Sequence, residues 1–259
     1  MNRILLIAAA AIAAAVLVPS AAQAATLHQD GRTPHKVLLQ DDVGETNLIS
    51  VEGKSSVVIQ DLNMPIQIAG VPTCMPLDAY TVSCSAVRRV ELDLGVGPDV
   101  ARIDTRQAVE IEGGAGNDRY VATGTDAPSR VTFSGGIGLD TANYFFATDG
   151  VDVSVDLAGS DGRPGDDDRI LRDVESVIGS NFADVLTGSH RTLQLSGQDG
   201  DDVITGGAEA EILSGGEGND RINARDGAAD SVDCGGQTFD AAVVDLGAEA
   251  SITRCADVS

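Results

Sequence analysis

Asp184, Asp202 and Asp220 stand eighteen residues apart, and Asp99, Asp118 and Asp140 follow a looser version of that interval, nineteen and then twenty-two residues. An ionised carboxylate only accepts hydrogen bonds and is a natural ligand for hard cations. If the fold stacks such residues at strand spacing, about 4.8 Å, unpaired carboxylates repel one another. A divalent cation between successive members removes that repulsion. The chemistry on offer is therefore cation binding by columns of aspartate.

The elements that must position these residues follow a period of nine. From Gly179 to Asn223 the chain reads GSNFADVLT, GSHRTLQLS, GQDGDDVIT, GGAEAEILS and GGEGNDRIN. Each unit opens with glycine (Gly179, Gly188, Gly197, Gly206, Gly215) and is aliphatic at the eighth place (Leu186, Leu195, Ile204, Leu213, Ile222). The leading glycines read as tight turns with φ > 0. Residues seven to nine, such as Val203-Ile204-Thr205, read as a short strand with its middle side chain inward. One such strand cannot bury its apolar residue alone, whereas stacked coils can, so the period predicts a β-solenoid. Two units make a coil of eighteen residues with a turn at each edge. Asp184, Asp202 and Asp220 then share one edge, Leu193 and Glu211 the other, and a cation is expected at the aspartate edge only.

At these residues the sequence resembles the hemolysin-type (RTX) calcium-binding nonapeptide, G-G-x-G-x-D-x-U-x. Gly215 to Asn223 is the best match, Gly113–Asp118 and Gly135–Asp140 also fit, and Leu94 to Asp99 keeps two glycines and the aspartate. The resemblance implies an all-β fold, a parallel β-roll or β-solenoid, with small β-rich caps expected at both ends. It also implies Ca2+ held between stacked turns by the sixth-position aspartate and by glycine-turn carbonyls. Carried onto this chain, the implied metal residues are Asp99, Asp118, Asp140, Asp184, Asp202 and Asp220, with Gly113, Gly116, Gly135, Gly138, Gly197, Gly200, Gly215 and Gly218. The turns starting at Gly188 and Gly206 depart from the pattern, since neither has glycine at its fourth place. The chain also opens on an apolar leader and carries no large effector domain, so the resemblance speaks for fold and ion rather than for biological role.

Composition narrows the function classes. The 259 residues carry a formal net charge of −23, only 3% aromatics and no Trp. Such acidity argues against nucleic acid and anionic membranes as partners. So few aromatics suit a thin solenoid core. Arg3, the apolar run Ile4 to Val18 and Ala22-Gln23-Ala24 read as a signal peptide over 1–24, with the mature chain starting at Ala25. No second apolar span of membrane length follows, so an exported, extracellular protein without membrane insertion is expected. Four cysteines, an even number, favour disulfides in that setting, and the sequence-local pairs Cys74–Cys84 and Cys234–Cys255 need the least rearrangement. A zinc site is disfavoured, because there is no C-x-x-C and the histidines lie far from the cysteines.

In chain order, Ala25 to about Lys36 is polar and without period, and reads as a loose lead-in. Residues 25–90 as a whole read as a small β-rich cap, 91–143 as degenerate repeats and 144–178 as an insert. Residues 179–243 are the main repeat array and 244–259 a second cap. Within the insert, Gly159 to Asp168 reads as a solvated acidic loop, and it lacks EF-hand spacing. No H-E-x-x-H or G-x-S-x-G occurs, and in a chain with 40 acids no carboxylate pair stands out as acid and base. The expectation is a secreted, non-enzymatic calcium-binding β-roll whose folding is coupled to calcium. A surface adhesion or scaffold protein is the alternative, and a polysaccharide-active β-helix enzyme a more distant one. No protein or glycan partner can be read from the chain.

Overall fold

The structure is a computed structural model, and it describes residues 25–29, 36–41, 46–69, 71–123, 130–155, 160–236, 239–245, 247 and 251–259. The expected leader, 1–24, lies outside the described residues. Among those residues the fold is all-β, with sheets of seven, twelve and six strands and no helix.

The twelve-stranded sheet runs through the repeats. Its parallel members include Leu48–Gly53, Val100–Thr105, Arg119–Ala122, Thr141–Asn143, Ser176–Ile178, Gln194–Asp199, Ile212–Glu217, Ser231–Asp233 and Ser251–Thr253. In the first half the chain alternates between this sheet and the seven-stranded one, which includes Arg89–Asp93, Ala108–Ala115 and Arg130–Ile137. In the second half it alternates with the six-stranded sheet, which includes Val185–Thr187, Val203–Thr205 and Arg221–Ala224. Within 176–258 each strand bonds in parallel to the strand two places on, as the nine-residue period requires.

Burial follows the eighth position. Leu186, Ile204 and Ile222 stand in register on one sheet, Leu195 and Leu213 on the other, and all five are buried. Full burial of each such side chain stabilises the fold by about 1.5–3 kcal/mol. No unit does this alone, because each apolar side chain is covered by those of adjacent coils.

The stretch 144–178 joins the two halves rather than standing outside them. Asp152–Ser154 is the first strand of the six-stranded sheet, and Arg169–Ile170 is the last of the seven-stranded one. Tyr120, Phe133 and Tyr144 pack together near this hand-over, with ring centroids 6.0 Å and 5.8 Å from Tyr120. The acidic loop is not the solvated segment its composition indicates. Asp161 accepts the Ser154 and Ile170 N–H groups, Asp168 accepts the Val131 N–H and the Tyr120 hydroxyl, and Asp166 pairs with Arg163. These carboxylates are buried because they satisfy backbone donors that the broken repeat leaves over.

The N-terminal end differs from the middle, and each end carries a disulfide. Ser56–Asp61, Thr81–Ser85 and Cys74–Pro76 are antiparallel, and Cys74 and Cys84 are disulfide-bonded across adjacent strands. Cys234 is bonded to Cys255 at the other end, so both expected disulfides are present. The lead-in reading fails over Ala25–Gln29, which is a strand between Lys36–Gln40 and Ile66–Ala69 with Ala25 and Leu27 buried. Two inward residues are too short an alternation to stand out in sequence. The parallel register also starts before 91, since Lys36–Gln40 pairs with Arg89–Asp93 and Leu48–Gly53 with Val100–Thr105.

Candidate metal centre

The glycine turns carry their left-handed residues at places two and four, not at the front. Gly114, Gly136 and Gly216 at the second place, and Gly116, Gly138, Gly200 and Gly218 at the fourth, all have positive φ. The leading Gly113, Gly135, Gly197 and Gly215 do not. Their reason is space. A Cβ on Gly197 would lie 1.9 Å from Asp202 Oδ2 and 2.7 Å from the Gly215 carbonyl oxygen. On Gly215 it would lie 2.2 Å from Asp220 Oδ2 and 2.7 Å from the Cys234 carbonyl oxygen. The expectation of φ > 0 at the leading glycine is thus corrected: it is needed because a carboxylate folds back over it.

The sixth-position carboxylates are tied from coil to coil. Asp184 N–H donates to Asp202 Oδ1 (2.8 Å), Asp202 N–H to Asp220 Oδ1 (2.9 Å) and Asp220 N–H to Asp240 Oδ1 (3.0 Å). In the first half, Asp99 N–H donates to Asp118 Oδ1 (2.9 Å), Asp118 N–H to Asp140 Oδ1 (2.7 Å) and Asp140 N–H to Glu175 Oε2 (3.0 Å). One oxygen of each acceptor is used in this way.

The other oxygen distinguishes the sites. Oδ2 of Asp99, Asp118, Asp140, Asp202 and Asp220 is buried and has no hydrogen-bond partner. Beside it, at four of these residues, lies the carbonyl oxygen of a neighbouring coil: Gly135 for Asp118, Asp173 for Asp140, Gly215 for Asp202 and Cys234 for Asp220. Two oxygens facing one small space with no donor between them are a donor set for a hard cation. Asp99 lacks the leading glycine, having Leu94 there, and its Oδ1 takes the Asn47 N–H. Asp184 differs more. Its Oδ1 accepts from Val151 N–H and Ser180 Oγ, and its Oδ2 from Ser180 N–H, so Ser180 closes this turn at the place that Gly216 fills in the unit opening at Gly215.

The two aspartate sets lie on opposite edges of the twelve-stranded sheet. Asp99, Asp118 and Asp140 lead into that sheet, whereas Asp184, Asp202 and Asp220 lead out of it into the six-stranded one. Backbone bonds continue the first column as Asp140, Glu175, Leu193, Glu211 and Asp230. Glu175, Glu211 and Asp230 are buried there, and Leu193 interrupts the row. The sequence signal for them is an acid immediately ahead of an inward-pointing strand, a weaker mark than the glycine turn.

Burial raises the carboxyl pKa values. Asp99, Asp140 and Asp202 are pushed up to about 7 and Asp220 to about 6, in each case mainly because the ionised form loses water. Neighbouring carboxylates add to the rise, Asp184 and Asp220 on Asp202 and Asp240 on Asp220. Near neutral pH the columns therefore hold acids that are ionising, and of these Glu175 faces the Arg191 guanidinium at 3.6 Å.

The chain carries the RTX calcium-binding nonapeptide repeat, matched in four copies at residues 105–124 and 194–222. The matched segments contain Asp118, Asp202 and Asp220 with their glycines. The turn at Gly135 to Asp140 has the same geometry outside them. No curated protein matches the chain.

Proposed function

We propose that the protein is an exported calcium-binding β-roll whose folding is coupled to the ion and which catalyses no reaction. The observation that carries this reading is the set of buried carboxylate oxygens at Asp118, Asp140, Asp202 and Asp220, each without a donor and each facing a carbonyl of the next coil. Asp side chains and glycine-turn carbonyls would hold the ion, and it would offset the repulsion along each column. The alternation of strands between two parallel sheets around one apolar core supports a closed roll. Residues 1–24 act as a cleaved leader, the antiparallel strands of 25–90 and the disulfide-bonded end of the chain act as caps, and the two disulfides fit an oxidising compartment. The test is far-UV circular dichroism and thermal melting of the chain from Ala25 in EGTA and in millimolar calcium. The expected result is a gain of β signal and a higher midpoint in calcium, with affinity on the order of 10⁻⁴–10⁻³ M and weak substitution by magnesium. Identical spectra and midpoints in the two buffers would remove the ion from the fold.

A surface scaffold is a second reading, favoured by one feature. Phe145, Phe146 and Phe182 are 38%, 54% and 47% exposed on adjacent turns of the same edge. Retention of the protein on the cell surface, lost when all three are replaced by serine, would support it.

A further inference from the structure

We infer that Glu211, Asp226 and Asp230 form a second kind of divalent-cation site, built from side chains alone, on the edge opposite Asp202 and Asp220. One carboxylate oxygen of each residue lies within 4.8 Å of the other two. Three carboxylate oxygens gathered this closely can share one cation, and an all-oxygen donor set suits a hard ion such as calcium.

Glu211 supplies the independent mark of a ligand. It is 2% exposed, its Oε1 is engaged by the Gly207 N–H, and its Oε2 is buried with no partner. The side chain folds back over its own glycine pair, since a Cβ on Gly206 would come within 2.4 Å of Oε2. Its backbone N–H donates to Asp230 Oδ1 at 2.9 Å, which fixes the two acids on adjacent coils. The guanidinium of Arg225, next to Asp226, donates to the Ser259 carbonyl rather than into the cluster.

This arrangement departs from the glycine-turn sites. Glu211 sits in a turn without the fourth-place glycine, and no glycine in that turn has a left-handed φ. The third acid, Asp226, lies outside the matched repeat segments, at a place where the nine-residue pattern asks for no acid. A carboxylate from the following coil takes the place of the turn carbonyls. Bound there, the ion would clamp the turn 206–211 to the turn 225–230, next to the Cys234–Cys255 disulfide.

The experiment is calcium titration by calorimetry on the chain from Ala25, comparing wild type, Asp226→Asn and Asp202→Asn. Asp226 is exposed, so its replacement leaves the core intact, and circular dichroism in calcium checks this for each variant. Asp226→Ser and Glu211→Gln repeat the test with different side chains. The expected result is that Asp226→Asn loses one calcium equivalent and keeps those sensitive to Asp202→Asn. An Asp226→Asn isotherm that superposes on wild type overturns the inference, whatever Asp202→Asn does. Loss in Asp226→Asn beside a silent Asp202→Asn would keep this site and overturn the glycine-turn reading instead.

Discussion

The backbone N–H of Asp202 donates to Oδ1 of Asp220 at 2.9 Å, eighteen residues further along the chain. The bond gives the sixth-position aspartate two separate tasks. One oxygen satisfies a buried backbone donor of the preceding coil, which would otherwise cost about 1–3 kcal/mol. The second oxygen is buried without a hydrogen-bond partner, and under the proposed function it is the one that takes the cation. An aspartate is suited to both because its short side chain reaches the adjacent coil while keeping Oδ2 over the leading glycine.

These burial-raised acids set a pH dependence with a definite sign. The pKa is about 7 for Asp99, Asp140, Asp202 and Glu211 and about 6 for Asp220, against ordinary values of 3.8 for Asp and 4.5 for Glu. A folded-state pKa above the unfolded one contributes stability at low pH that is lost as pH rises through the folded value. Metal-free protein is therefore expected to be most stable near pH 4 and to lose stability progressively up to about pH 7. Calcium favours the ionised form, so in excess calcium this loss should flatten or reverse. Thermal midpoints from pH 4 to 8 in metal-free and calcium buffers measure both slopes, and a metal-free midpoint that climbs over that range would contradict the prediction.

Asp184 and Asp202 occupy the same place in the repeat but should respond differently to Asn. Asp202→Asn puts an amide in the donor-free space beside the Gly215 carbonyl and should weaken the binding of the ion held there. Asp184→Asn should leave calcium binding unchanged. It should instead destabilise the fold by about 1–3 kcal/mol with or without calcium, since an amide NH₂ then faces either the Ser180 or the Val151 N–H. Parallel calcium titrations and denaturant melts of the two variants separate these outcomes.

Gln198 has φ +85°, at the turn position that Gly216 fills in the next coil. A side chain held in that region costs on the order of 1 kcal/mol. Gln198→Gly is expected to raise stability by roughly that amount, less whatever its 2.6 Å bond to Ser196 Oγ contributes. The reverse change, Gly216→Gln, should be far more damaging, because a Cβ there would lie 1.7 Å from the Gln198 carbonyl oxygen. Urea denaturation in calcium, at equal m-values, compares the two.

Much of this protein was legible one nonapeptide at a time. The glycine, the aspartate and the inward aliphatic of a unit such as Gly215 to Asn223 specify a turn and a three-residue strand. Their repetition specifies parallel stacking, because no unit buries its own apolar side chain. Local cysteine spacing likewise marked both disulfides, since each joins segments brought together by short connections. What a repeating unit cannot specify is the edge on which its turn falls, because that depends on how many strands separate two units. Between Asn143 and Ser176 the chain visits both Asp152–Ser154 and Arg169–Ile170, one strand more than an ordinary coil. That extra strand moves the glycine turns from one edge to the other and leaves Glu211 and Asp230, rather than Asp202 and Asp220, in line with Asp140. The partner of each carboxylate was hidden for a related reason. Whether an oxygen meets Ser180, as in Asp184, or nothing, as in Asp202, is decided by atoms from other coils and by the exclusion of water from between them.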